Sequence, residues 1–122
     1  MACDFSSYGN RIALATRVGK VKIFALMNKE WVKKSYAKAL PGRITCVRWL
    51  KNKGQILVAG EDGRIRLLDE EMKTLKVYRG HTGDIQYGVM AAKRTFFITA
   101  DADQTIKFWN KTCAITYLFI LL

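Results

Sequence analysis

Three residues of this 122-residue chain have the types that acid–base or nucleophilic chemistry uses together: Thr99, Asp103 and His81, the only histidine present. A hydroxyl, an imidazole and a carboxylate compose a triad in which the base takes a proton from the nucleophile while the acid orients the base. Two features argue against that use. No oxyanion loop accompanies the three, and Thr99 lies in an apolar run that reads as a strand, where it meets neighbouring strands rather than a cleft. The same residues serve better as a structural clasp. Asp103 sits in a turn and can accept from the His81 imidazole, while Thr99, four residues earlier across the hairpin, can bridge to its other side. Trp109 adds one N–H donor and an apolar body that covers the group. Satisfied throughout, such a network fixes one arrangement of loop and sheet.

Other chemistry-bearing groups are weaker. Glu70 and Glu71 are adjacent and point to opposite faces of an extended chain, so they make a poor acid–base pair. The Gly60-Glu61-Asp62-Gly63 segment carries two carboxylates that repel a phosphate. Cys3, Cys46 and Cys113 are widely spaced, odd in number and in no Cys-x-x-Cys arrangement, which argues against a disulfide framework or zinc site and for small buried apolar residues in a reducing compartment. The expectation is no catalytic residue, metal, cofactor or small-molecule substrate.

The formal net charge is +11, and it is uneven: residues 1–60 hold +10 of it. Such asymmetry fits an acidic partner surface, or nucleic-acid phosphate, near the basic half. Lys29, Lys33, Lys34 and Lys38 surround Trp31 and Tyr36, and basic residues interleaved with aromatics can grip RNA through phosphate contacts and stacking. The same pattern also protects an outer sheet edge by charge. No segment approaches the roughly 20 apolar residues of a spanning helix, and Asp4 falls where a signal peptide would be positive. The expected setting is intracellular, nuclear or cytoplasmic, with no membrane.

The elements that position these residues follow from self-similarity. Ile12–Phe24, Ile56–Leu68 and Phe97–Trp109 superpose without a gap at offsets of 44 and 41 residues. Ile12, Ile56 and Phe97 coincide; so do Val21, Ile65 and Ile106, and Lys22, Arg66 and Lys107. The period falls within the roughly 40–45 residues of a propeller unit. Each unit reads as four short strands. In the second, Ile44 to Trp49 alternates, with Ile44, Cys46 and Arg48 on one face and Thr45, Val47 and Trp49 on the other. Lys51 to Gly54 is a polar turn, and Ile56-Leu57-Val58-Ala59 is a strand apolar on both faces. Glu61-Asp62-Gly63 turns again, and Asp69 to Met72 leads into a polar outer strand from Thr74. The first unit turns at Ser6 to Asn10 and at Arg17-Val18-Gly19, with an outer strand near Trp31 to Tyr36. The third takes its first turn at Ala91 to Arg94.

The stretch Gly80 to Asn110 opens with Gly80-His81 and closes on Trp109-Asn110. It resembles one unit of the WD-repeat (WD40) β-propeller family, whose units usually end in Trp-Asp. Carried over residue by residue, the family's buried hydrogen-bonded set falls on His81, Thr99, Asp103 and Trp109. The second unit keeps Asp62 but has Val58 and Leu68 where Thr99 and Trp109 sit. The first has Val18 and Phe24 at the Asp and Trp positions. The resemblance implies an all-β fold of about three four-stranded antiparallel blades, over units of about 1–40, 41–80 and 81–122. Natural propellers carry about 4–8 blades. The ring is therefore incomplete, and the chain reads as a piece or shortened product of a larger propeller, with a self-assembling part-ring as the alternative. The resemblance further implies a non-enzymatic scaffold that holds other proteins in a complex, through loops near Arg43, Glu61, Asp84, Gln86 and Ala102. An RNA-associated subunit of a nuclear ribonucleoprotein assembly is the second expectation.

Overall fold

The computed structural model describes residues 2–6, 9–50, 54–78, 83–91, 96–102, 105–110 and 115–119. They form three antiparallel sheets, each a meander in which every strand pairs with its sequence neighbour. The first contains β1 (Ala2–Phe5), β2 (Arg11–Ala15), β3 (Lys20–Met27) and β4 (Glu30–Lys38). The second contains β5 (Ile44–Trp49), β6 (Ile56–Gly60), β7 (Ile65–Leu68) and β8 (Thr74–Tyr78). The third contains β9 (Ile85–Ala91), β10 (Phe96–Asp101), β11 (Thr105–Asn110) and β12 (Ile115–Phe119). The mostly apolar segment Ile115–Phe119 supplies the fourth strand of the third sheet. Among the described residues there is no helix, and so none long and apolar enough to cross a membrane.

The sheets lie side by side, first on second and second on third, as blades of an incomplete ring. Strand β5 makes both junctions, touching β1 and β2 on one side and β9 on the other. Ala13, Ala15, Val21 and Ile23 of the first sheet meet Ile44, Val47, Trp49, Ile56, Val58 and Leu68 of the second in one apolar cluster. Small residues on one side face large ones on the other, which lets the layers interdigitate. The opposite face of the second sheet, with Cys46, Leu57, Ala59, Ile65 and Leu67, joins Ile85 and Trp109. Every residue of β6 is buried because apolar matter lies on both of its sides; that is the physical content of its uninterrupted apolar run.

One sequence-based expectation is corrected. Ile44 lies with Val47 and Trp49 against the first sheet, not with Cys46, which faces the third. The pairing Ile44↔Gly60 steps directly to Cys46↔Ala59, so Thr45 is the extra residue of a β-bulge and shifts the alternation by one.

Turn chemistry fixes the hairpins. Gly63 adopts a φ of 73° and donates to the Gly60 carbonyl. The Asp69 carboxylate accepts from the backbone N–H groups of Glu71 and Lys73, a local bond that replaces the missing ladder partner. Between β3 and β4, Asn28 and Lys29 take φ values of 50° and 65°, the two left-handed residues of a type I′ hairpin. Gly19 has a φ of 84°, and a Cβ there would come within 2.0 Å of the Leu40 carbonyl oxygen. Its own carbonyl accepts from Ala39 and Leu40, so the chain leaving the first blade passes directly over it.

Candidate functional site

In the third blade the Trp109 indole N–H donates to the Thr99 hydroxyl at 2.8 Å. Thr99 is on β10 and Trp109 on β11, where Trp109 pairs with Phe97 and Thr99 with Lys107. The bond therefore runs diagonally across one hairpin. Both side chains are fully buried, and the Tyr78 ring meets the indole edge-on at 5.7 Å. His81 and Asp103 lie outside the described residues.

The corresponding positions of the second blade, at the 41-residue offset, are Leu40, Val58 and Leu68 for His81, Thr99 and Trp109. All three are buried in the same apolar cluster. Replacing a polar set as a whole by apolar residues leaves no orphaned donor, which is why such a swap is tolerated where removal of one member is not. Asp62, at the position of Asp103, accepts from the backbone N–H of Arg64 at 3.1 Å and pairs with the Arg66 guanidinium at 2.8 Å. In the first blade that position is Val18, which is 60% exposed.

The loop residues singled out in the sequence fall into two equivalent pairs. The Glu61 N–H donates to the Arg43 carbonyl, and the Arg43 N–H to the Glu61 carboxylate at 3.0 Å. One blade on, the Ala102 N–H donates to the Asp84 carbonyl at 2.9 Å. Arg43, Glu61, Asp84, Ala102 and the neighbouring Gln86 are all exposed. The structure thus sets the two loops at matching places in adjacent sheets.

Several contacts were not legible in the sequence. The Asp4 carboxylate accepts from the Trp49 backbone N–H at 2.8 Å, and the Asp4 carbonyl from the Trp49 indole at 3.0 Å. A buried tryptophan needs an acceptor for its N–H, and Trp49 carries that signal in the sequence. Thr45, the bulge residue, donates its hydroxyl to the Ile85 carbonyl in the third sheet. Glu70 joins the first two sheets by pairing with Arg11 at 2.7 Å and by accepting from Ser35 through its carbonyl.

Two groups have shifted acidity. Burial pushes the Cys46 thiol up to about 11. At Tyr36 the bond from the Lys20 ammonium, reinforced by the charges of Lys20, Lys22 and Lys33, holds the phenol below its ordinary value. These three ammonium groups lie 5.2–5.4 Å from the centre of its ring.

Comparison with known families completes the description. The family model described as the anaphase-promoting complex subunit 4 WD40 domain matches residues 3–87. The model described as WD domain, G-beta repeat, matches residues 72–110, the segment that holds the Thr99–Trp109 bond. No curated protein matches the chain. WD40 domains generally serve as scaffolds for protein–protein interaction. With three four-stranded antiparallel blades, and with the first of these matches spanning most of its length, this chain belongs to the anaphase-promoting complex subunit 4 WD40 domain family.

Proposed function

We infer that the chain is a non-enzymatic scaffold of a multiprotein complex, and that proteins engage it through the loop ends near Arg43, Glu61, Asp84, Gln86 and Ala102. One observation carries this reading: the Arg43–Glu61 and Asp84–Ala102 pairs repeat at one position in adjacent blades, with their side chains open to solvent. Backbone pairing makes the platform rigid, so a ligand does not have to order it on binding. The name of the matching family, that of a subunit of a complex, supports the same setting. We place the chain inside the cell, in nucleus or cytoplasm, from the odd number and wide spacing of its three cysteines. In the third blade, the Thr99–Trp109 bond holds β10 and β11 together beside the loop ends. The test is affinity capture with the wild-type chain and an Arg43→Glu/Asp84→Lys variant, read by quantitative mass spectrometry. Proteins lost only with the variant support the reading, and identical sets for both overturn it.

The basic half supports a second reading, association with RNA in a ribonucleoprotein assembly. Lys20, Lys22 and Lys33 gathered at one ring supply the cations it would need. Filter binding of unstructured RNA at two salt concentrations decides it. Affinity that falls steeply with salt keeps the reading, and weak binding with a flat response removes it.

A further inference from the structure

Strand β4 is the longest of the described strands, nine residues against five for β8, its equivalent in the second sheet. It pairs with β3 on one side, and among the described residues no strand pairs with the other. The first strands of the sheets lie at the junctions, β1 touching β5 and β5 touching β9, so the fourth strands lie on the outer rim. Blades stack face to face, which leaves a rim edge open however many of them complete the ring. The tip of the β3–β4 hairpin also overhangs the second sheet. Phe24 and Leu68 are equivalent at the 44-residue offset, and β7 stops at Leu68 while β3 runs on to Met27. Val32 pairs with the buried Ala25, on the side that faces the second sheet, yet it is 42% exposed.

An open edge presents a row of N–H and C=O groups, and an extended peptide can satisfy them by adding a strand. Charge decides which peptide. Lys29, Lys33, Lys34 and Lys38, on β4 or beside it, stand against Glu30 alone, and all five are exposed. Among the described residues the two ion pairs, Arg11–Glu70 and Arg66–Asp62, use none of them. Strand β8, by contrast, carries one lysine, Lys76. Like charges directly opposite destabilise a strand pair, so β4 rejects the same edge of a second copy. Lys34, the extra residue of a bulge, bends the edge and hinders flat self-pairing further. Carboxylates set across from the lysines reverse the sign of the interaction.

We propose that β4 takes an acidic, extended polypeptide segment as a fifth strand of the first sheet, with carboxylates opposite Lys33, Lys34 and Lys38 and an apolar side chain beside Val32. Backbone bonds hold the segment and charge selects it. An RNA strand brings negative charge but no ladder of N–H and C=O groups. The proposal shares with the scaffold reading only that the ligand is a polypeptide.

The test combines fluorescence anisotropy and amide hydrogen exchange on the full 122-residue chain. The probes are a short labelled peptide of alternating glutamate and valine, its lysine counterpart, a backbone N-methylated form of the acidic peptide, and oligouridylate. The acidic peptide binds and slows exchange at residues 30–38, while the lysine and N-methylated peptides do not bind. A Lys33→Gln/Lys34→Gln/Lys38→Gln variant, with unchanged circular dichroism, weakens the acidic peptide about tenfold. No binding of the acidic peptide, protection confined to other strands, or equal affinity in the triple variant overturns the proposal. So does equal binding of the N-methylated peptide, tighter binding of oligouridylate, or sedimentation showing self-association through this edge. The Arg43→Glu/Asp84→Lys variant leaves β4 unaltered, so the failure of either reading is visible separately.

Discussion

Asp4 holds Trp49 at two points, its carboxylate on the backbone N–H and its carbonyl on the indole. The two residues stand 45 apart in the chain and belong to neighbouring sheets. A single residue of β1 thus reaches both the backbone and the side chain of a β5 residue buried in the apolar cluster.

Asp4→Ala removes the acceptor for the Trp49 N–H and leaves the indole bond in place. The expected loss is about 1.5–3 kcal/mol, the range for losing a hydrogen bond to a charged group. Asp4→Asn keeps an acceptor oxygen and loses less. Urea denaturation measures both, as a lower midpoint at unchanged slope.

In the third blade, Thr99→Val keeps the shape of the side chain but leaves the Trp109 indole without the hydroxyl at 2.8 Å. A loss of about 1–3 kcal/mol follows, while Thr99→Ser retains most of the bond. Combined with Trp109→Phe, which also removes the donor, Thr99→Val costs less than it does alone. A double-mutant cycle on denaturation midpoints reads this coupling.

Lys29 sits at a φ of 65° in the β3–β4 turn. The left-handed region costs an L-residue roughly 1–2 kcal/mol, and the greater freedom of unfolded glycine returns part of it. Lys29→Gly therefore raises stability by about 0.5 kcal/mol, seen as a higher denaturation midpoint.

The Cys46 thiol titrates at about 11 in the folded chain, against a value of 9.0 in the open chain, and burial is the chief cause. The folded state thus binds the proton more tightly. Its contribution to stability is complete below pH 9 and is lost as pH rises through 11, on the order of 3 kcal/mol in all. Cys46→Ala lacks this step, so the difference between the two pH profiles of denaturation midpoint isolates it.

The parts of the fold that were legible in the sequence are those that depend on local pattern. The uninterrupted run Ile56 to Ala59 announces a strand covered on both sides, and the offsets of 44 and 41 residues bring equivalent positions into line. The offsets also align Leu40, Val58 and Leu68 with His81, Thr99 and Trp109, but their common burial appears only once the sheets are stacked. The bulge at Thr45 is invisible in Ile44-Thr45-Cys46-Val47, because an alternating run looks the same with or without an inserted residue until its partner strand is known. The Asn28-Lys29 turn lacks the glycine that usually marks its type. The Asp4–Trp49 and Arg11–Glu70 contacts depend on which sheet faces which, and no short-range rule carries that.

The second sheet does not meet its two neighbours in the same way. Toward the first it offers Trp49 to Asp4, with Arg11 reaching over to Glu70. Toward the third it offers the Thr45 hydroxyl to Ile85, and it brings Cys46 so close to β9 that a Cβ on Gly88 would lie 2.6 Å from its sulfur. Each seam is keyed, and neither key fits the other lock. A shuffled gene that exchanged the first and third modules would keep every strand yet misfit at both seams, so the order of the modules is written in their side chains as well as in the chain that threads them.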